Sequence, residues 1–361
     1  MRKFPLSFRR AVMLFFFPLA LLLLAALVAT WIGSTRFIVP KRRQLEARHH
    51  ELLGNPAEFG LDLEPVPVSL RDGTILDAIV ATRAAKMGLA EKTRAMEARL
   101  VDEGILPPAG RRGTIFLLHG RGGRKENLLW VAKRFVAADF RCVVYDARAH
   151  GSSEGKFCTF GFRESQDLAE VIEQVEKKLS RDGENAGPIG VFGNSLGAAV
   201  ILQALPELPK IRAAVTVAPF ASLEEVVTRS ANRGLHPAFP DFLIYASMRL
   251  GGWRAGFDPR SIRPEKCVTD SRVPIYLMHG MKDEVIPVEH SLRILRAAGR
   301  RELVWREIPT AYHSNVLAEG GDDHYQEMTE FFIRHLEDDL KRDSPGALTV
   351  EDSESRAGVE D

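Results

Sequence analysis

Residues 191–199 read Val191-Phe192-Gly193-Asn194-Ser195-Leu196-Gly197-Ala198-Ala199, and this stretch places one hydroxyl between two glycines. Apolar residues precede the first glycine, and helix-forming residues follow the second. Glycine tolerates the crowding of a sharp turn between a strand and a helix, where a side chain would clash. The G-x-S-x-G spacing is typical of such a turn when it exposes a nucleophilic serine. The stretch therefore predicts Ser195 as a nucleophile on an elbow formed with Gly193, Asn194 and Gly197. A glycine-rich turn with a solvent-facing serine fits the same pattern.

The chain around this turn alternates short apolar runs with segments of helical periodicity. From Gly113 onward the apolar runs resemble buried parallel strands. Strands that alternate with helices predict a doubly wound α/β domain with a mostly parallel sheet and right-handed crossovers. The predicted strands are 114–118, 140–145, 189–192, 213–217, 274–278 and 303–308, and the predicted helices are 125–138, 161–179, 196–205, 291–298 and 326–340.

Segments outside this alternation set the predicted domain limits. A β-hairpin that turns at Asp72-Gly73 opens the main domain, which we predict at 64–341. An inserted helix is predicted at 84–100. Residues 221–272 are too long for a plain crossover, and we predict that they form a cap. The polar, acidic segment 342–361 predicts a disordered tail.

The first 40 residues predict a membrane anchor, and 41–63 a linker that follows it. A basic start is followed by residues 11–32, which carry no charge, and about 20 apolar residues suffice to cross a bilayer. Trp31 lies at the far end, where an interfacial aromatic belongs. A cleaved signal peptide is the alternative. Its apolar core is usually only ~7–15 residues long, and Leu27 occupies a position that normally carries a small residue before cleavage at Ala29. Basic residues flank both ends, so the orientation stays open.

Composition excludes several other function classes. The net charge is +1, so no global field favours nucleic acid as a partner. The three cysteines are scattered and indicate neither a disulfide framework nor a metal site. No nucleotide-binding or metal-binding motif is present, and we predict neither a cofactor nor a metal. The sequence does not indicate an oligomeric state.

Two further loops carry candidate partners for Ser195. Active sites in parallel sheets lie at the carboxyl ends of the strands. Asp283 follows the strand 274–278, and we prefer it to Glu284 because its shorter side chain suits a tight turn. His313 follows the strand 303–308 and could serve as a general base. The alternative histidines are His324 and His236.

A glycine-rich loop, His119-Gly120-Arg121-Gly122-Gly123, follows the strand 114–118. Such a loop can turn a backbone N–H toward the serine, and oxyanion stabilisation needs two donors. We assign these donors to the backbone amides of Arg121 and Leu196. His119 more simply fixes the loop.

The chain order Ser195, Asp283, His313, together with these loops, resembles the α/β-hydrolase superfamily. The resemblance covers roughly Val66 to Leu340. The stretch Asp146-Ala147-Arg148-Ala149-His150-Gly151-Ser152-Ser153 resembles the D-x-R-G-H-G-x-S loop of that superfamily, with Ala149 in place of a glycine. The resemblance extends to membrane-anchored lipases, acyl esterases and serine-peptidase-like relatives. It implies a structural rather than catalytic role for Asp146.

The expectation is a serine hydrolase that forms an acyl-enzyme on Ser195 and acts on an ester or thioester of a lipid-like or other apolar acyl group. The same triad could cleave amides, because a fold does not settle the substrate. A haloperoxidase-like activity and a non-catalytic binding protein are further alternatives. The serine at the elbow argues against an aspartate-nucleophile dehalogenase.

Overall fold

The computed structural model describes residues 6–85, 98–99, 101–102, 112–234, 240–299 and 302–342. The helix predicted at 84–100 and the tail predicted at 342–361 lie largely outside these residues, and His236 lies wholly outside them. The strands are β1 (Leu61–Ser69), β2 (Ile75–Arg83), β3 (Thr114–Leu118), β4 (Arg141–Tyr145), β5 (Ile189–Asn194), β6 (Ile211–Val217), β7 (Ile275–Gly280) and β8 (Leu303–Ile308).

The helices alternate with these strands after β3, as the sequence predicts. They are α1 (Leu6–Ile38), α2 (Ala47–Gly54), α3 (Lys125–Ala137), α4 (Glu164–Arg181), α5 (Leu196–Ala204), α6 (Leu223–Gly234), α7 (Asp241–Ala255), α8 (Pro264–Cys267), α9 (Val288–Ala298) and α10 (Val316–Arg342). Helix α10 is broken at Gly321 and begins at Val316 rather than at the predicted Gln326.

The eight strands form one sheet in the order β1-β2-β4-β3-β5-β6-β7-β8. The β1–β2 hairpin and the β2–β4 pair are antiparallel, and the remaining pairs are parallel. Such a mostly parallel sheet must be covered on both faces. The predicted doubly wound α/β fold is confirmed.

Successive residues of the central strands serve two separate cores. Phe116 and Leu118 of β3 belong to the core under α4, α5 and α9, whereas Ile115 and Leu117 belong to the core under α3 and α10. All five residues of β3 are buried. Because side chains alternate between the faces of a strand, this run fills both cores.

Helix α1 ends inside the domain. Its segment Phe17–Ile38 is long and apolar enough to cross a membrane, and most of that segment is exposed. The last turn differs, because Phe37 and Ile38 are buried in the core that also holds Phe160 and Phe257. The Phe37 and Phe160 rings stack at a centroid distance of 5.0 Å. The end of the apolar helix is therefore part of the folded domain.

The segment after α1 also packs on the domain. The Arg42 guanidinium donates hydrogen bonds to the carbonyls of Gly151 (2.8 Å) and Ser153 (2.6 Å). In α2, His49 and Leu52 are buried. The residues predicted as a linker thus make specific contacts with the domain.

Candidate active site

Ser195 lies at the junction of β5 and α5. Its backbone is left-handed, with φ 54° and ψ −112°, and its N–H donates to the Val217 carbonyl at 2.8 Å. A non-glycine residue in this region is strained by roughly 1–3 kcal/mol and is found most often at functional sites. The strained turn holds the hydroxyl above the carboxyl edge of the sheet.

The glycines on either side of Ser195 meet close backbone contacts. A Cβ on Gly193 would lie 2.5 Å from the Gly197 carbonyl carbon, and a Cβ on Gly197 would lie 2.2 Å from the Leu118 oxygen. Neither position can hold a side chain without moving backbone. The physical reason for the G-x-S-x-G spacing is therefore the close packing of β3, β5 and α5.

Asp283 lies in the loop after β7, and this loop is tied to the loop after β8. The N–H of Lys282 donates to the Ala311 carbonyl at 2.9 Å. Oδ1 of Asp283 accepts hydrogen bonds from the amides of Val285 (2.9 Å) and Ile286 (2.8 Å). These bonds orient the carboxylate and leave Oδ2 to face His313.

His313 joins the other two predicted residues. Its Nδ1–H donates to Oδ2 of Asp283 at 2.6 Å, and its Nε2 accepts from Oγ of Ser195 at 3.0 Å. The structure thus brings Ser195, Asp283 and His313 into one hydrogen-bonded chain. Geometry of this kind lets a histidine take the serine proton while a carboxylate stabilises the resulting imidazolium.

The rival residues are engaged elsewhere. Glu284 is exposed, and its carboxylate accepts from Arg233. The ring of His324 hydrogen-bonds to the carbonyl of Gly320, one turn earlier in its own helix. Asp146 is buried and accepts from the amides of Lys125 (2.7 Å) and Ser152 (2.8 Å), so it organises its own loop. None of these three contacts the Ser195–His313 pair.

Asp283 carries a strongly stabilised negative charge. Its burial alone would raise the pKa of the carboxyl, but hydrogen bonds from His279 and His313 and from the Ile286 amide hold that pKa well below its usual range. A permanently ionised carboxylate is what orients a histidine base and stabilises its charged form.

His279 lies against the Asp283 carboxylate, a contact that the sequence motifs do not predict. Its Nε2 lies 3.3 Å from Oδ2 of Asp283 and donates to the Ile286 carbonyl at 2.8 Å. Oγ of Ser291 donates to its Nδ1 at 2.6 Å. A signal was available in the sequence, because His279 stands at the end of a buried strand, four residues before Asp283.

The glycine-rich loop lies against the serine. A Cβ on Gly120 would stand 3.3 Å from Cβ of Ser195, a tight contact that the absence of a side chain at Gly120 avoids. His119 pins the loop. Its Nδ1–H donates to the Gly120 carbonyl at 2.8 Å, and its Nε2 accepts from the Ala147 amide at 3.1 Å. Burial lowers the pKa of His119, which matches this neutral, doubly bonded ring.

The two predicted oxyanion donors flank this space. Arg121 follows Gly120, and Leu196 is the first residue of α5. The first four N–H groups of a helix have no partner within it, and they favour an anion. The amides of Arg121 and Leu196 remain our candidates for the oxyanion site.

Comparison with known proteins gives one family match. The family described as serine aminopeptidase, S33, matches residues 109–269. This range contains Ser195 and most of the predicted cap, and it ends before Asp283 and His313.

Similar proteins come from several organisms. YqkD of Bacillus subtilis is 28% identical over 201 residues, which are 52% of this chain and 60% of YqkD. Among solved structures, the esterase Pf2001 of Pyrococcus furiosus has a TM-score of 0.60 and 18% identity, covering 82% of this chain and 99% of that one. The acylaminoacyl peptidase of Pyrococcus horikoshii has a TM-score of 0.56 and 14% identity, covering 82% of this chain and 44% of that one. At these identities the structural likeness concerns the fold.

Proposed function

We propose that the chain is a membrane-anchored serine hydrolase of the α/β-hydrolase type that cleaves a carboxylic ester or thioester through an acyl-enzyme. The family match and the esterase and peptidase neighbours support the general class, a hydrolase of the α/β-hydrolase type. The observation that carries the finer proposal is the hydrogen-bonded chain from Ser195 through His313 to Asp283, with distances of 3.0 and 2.6 Å.

The proposed reaction has two halves. Oγ of Ser195 attacks the acyl carbonyl while Nε2 of His313 takes the hydroxyl proton. The amides of Leu196 and Arg121 stabilise the oxyanion. The bond to the alcohol or thiol then breaks, and His313 returns its proton to that leaving group. A water molecule, deprotonated by His313, attacks the acyl-enzyme and releases the acid together with the free Ser195 hydroxyl.

The location of the site supports an apolar acyl substrate. The Arg121 guanidinium donates to the carbonyl of Arg36 at 2.7 Å, in the last turn of α1. The loop beside Ser195 is therefore tied to the end of the apolar helix. If α1 stays in a bilayer as an uncleaved anchor, the active site sits close to lipid, where esters of a lipid or a lipase-type substrate are concentrated.

A peptidase or amidase is the second candidate. The family match to serine aminopeptidases and the likeness to an acylaminoacyl peptidase favour it. The triad serves both reactions, so substrate assays must decide. The intact hydrogen-bonded geometry argues against a binding protein without catalysis.

The test begins with intact-mass spectrometry of the full chain in detergent after treatment with a fluorophosphonate. We expect one adduct on the wild type and none on Ser195→Ala. Ser261→Ala, which removes an exposed hydroxyl of the cap, serves as the matched control and should be labelled normally. A folded wild-type protein that takes no adduct would contradict the proposal. The same spectrum shows whether the residues before Thr30 are retained, as an anchor requires, or lost, as a signal peptide would be.

Substrate class is then resolved by rates. p-Nitrophenyl esters of increasing chain length are compared with aminoacyl p-nitroanilides. Faster turnover of the long-chain esters supports the proposed ester specificity. Faster turnover of the anilides would contradict it and favour a peptidase.

A further inference from the structure

Helix α7 of the cap packs closely along the end of α1. A Cβ on Gly33 would lie 2.4 Å from Oγ of Ser247, and a Cβ on Gly251 would lie 2.7 Å from the Phe37 ring. Small residues on facing helices are the usual means by which helices approach each other inside membranes. Ser247 and Gly251 have the small-xxx-small spacing of such contacts.

Polar contacts complete this helix pair. The Arg254 guanidinium donates to the hydroxyls of Ser34 (2.6 Å) and Thr35 (2.8 Å). The same guanidinium lies 4.0 Å from the centroid of the Trp31 ring. A cation over an exposed indole is typical of the level at which a helix leaves the hydrocarbon. These contacts fix α7 to the helix at that level.

The outward face of α7 is aromatic. Phe242, Tyr245, Arg249 and Trp253 are separated by three, four and four residues, so they share one face of the helix. As whole residues, Phe242, Tyr245 and Trp253 are 64%, 41% and 80% exposed. The opposite face is buried against α1 and the domain core. A helix of a soluble protein normally turns polar residues outward, and an exposed aromatic face of this kind marks an interaction surface.

We propose that this outer face of α7 lies in the headgroup region of the lipid bilayer beside α1. Three observations favour lipid as the occupant. The face adjoins a helix whose preceding turns are exposed and apolar, including Leu24 and Leu27. Its composition, aromatic rings with one arginine, is that of interfacial helices. The two helices are in direct contact. The proposal rests on the anchorage in the proposed function, and it is independent of the chemistry at Ser195.

A consequence concerns the supply of substrate. The loop that carries Gly120 and Arg121 is bonded to the last turn of α1, and α7 packs on the same turns. Two membrane contacts, rather than one flexible tether, then fix the tilt of the domain. The loop beside Ser195 is then held in a fixed orientation relative to the lipid surface.

The experiment uses the full chain reconstituted in phosphatidylcholine vesicles and measures tryptophan fluorescence. Wild type is compared with Trp253→Phe, and the difference spectrum isolates Trp253. Trp305→Phe, at a distant strand, is the matched control because Trp305 lies in β8. Each protein is measured with brominated phosphatidylcholine and, separately, with acrylamide in the water. Flotation of the vesicles reports anchorage in every case.

Interfacial helices bury their apolar face ~5–10 Å into the headgroup boundary, so we expect bromolipid to quench the Trp253 component about twofold or more. Acrylamide should leave that component largely unquenched. The reverse pattern on floating vesicles would overturn the proposal while leaving the anchorage intact. Protection from both quenchers would overturn it in favour of a contact with a second copy of the chain. Chains that do not float would overturn both the anchorage and this proposal, whatever the result at Ser195.

Discussion

The guanidinium of Arg121 donates a hydrogen bond to the carbonyl of Phe37 at 3.0 Å, so the loop beside Ser195 is fastened to the last turn of α1. A second bond reaches the Arg36 carbonyl at 2.7 Å. A cation at the carboxyl end of a helix satisfies carbonyls that have no partner in the helix and interacts well with the helix dipole. The loop of the proposed oxyanion site is thus bonded directly to the end of the apolar helix.

We predict that Arg121→Ala lowers kcat by roughly 10- to 100-fold and leaves KM almost unchanged. The backbone amide is retained, but its loop loses its fixed position, and small misplacements of catalytic groups are costly. Arg121→Lys should restore part of the rate. Steady-state kinetics on a p-nitrophenyl ester provides the measurement, and Arg181→Ala, at an exposed position of α4, is the control. An unchanged kcat would show that the bonds to α1 do not position the loop.

The triad gives a second prediction. Asp283→Asn should lower kcat by on the order of 10³–10⁴-fold, because the amide cannot stabilise the imidazolium of His313. His313→Ala should be at least as damaging. Both variants should still bind a boronic acid or another acyl-group analogue less tightly than wild type but measurably. Retained activity in His313→Ala would transfer the role of base to another histidine.

Stability should fall in mild acid because of a buried histidine. Burial lowers the pKa of His150 to about 3 from its usual 6.5, and burial also lowers the pKa of His119 beside it. Between pH values of about 3 and 6.5, His150 is protonated in the unfolded chain but not in the folded chain. The free energy of unfolding therefore decreases as pH falls from about 6.5 toward 3, by about 1.4 kcal/mol per pH unit for one proton.

The measurement is denaturant unfolding at several pH values in that window. The His150 ring hydrogen-bonds to the Arg148 carbonyl at 2.9 Å, and His150→Asn keeps a donor for that carbonyl. This variant should reduce the change in the free energy of unfolding with pH. His50→Gln, at an exposed position, should not change it. Parallel slopes for wild type and His150→Asn would contradict the assignment.

The close contact between α1 and α7 predicts that a side chain at Gly251 destabilises the protein. Gly251→Ala should lower the free energy of unfolding by about 1–3 kcal/mol, because the new methyl group meets the Phe37 ring. Gly54→Ala is the matched control, since nothing lies within 4 Å of its added Cβ. Thermal unfolding of both variants in detergent checks the difference. Equal stability would mean that the helices separate without cost.

The sequence predicted the sheet well because buried parallel strands are short apolar runs, and the β3 run Thr114–Leu118 was located to the residue. It also predicted which side chains meet at the site, because loops after parallel strands share one edge. It failed at features that tertiary contacts decide. Helix α10 starts at Val316, before Gly320 and Gly321, and because glycines interrupt helical patterns its first turn was not predicted.

The contacts around α1 were equally hidden. The motif proposes a role for the backbone amide of Arg121, but it does not show that the side chain bonds to the end of α1. Likewise, the exposed face of α7 has the same aromatic composition as a cap core, and only the structure separates the buried Met248 from the exposed Trp253.

The arrangement of the triad on three strands has a consequence for protein synthesis. Ser195 follows β5, Asp283 follows β7 and His313 follows β8, which lies at the edge of the sheet. A ribosome therefore releases the strained serine turn long before Asp283 and His313, the residues proposed to activate it. On the proposed mechanism, the nascent chain would gain an activated serine only after the edge strand β8 and the loop that follows it have been made.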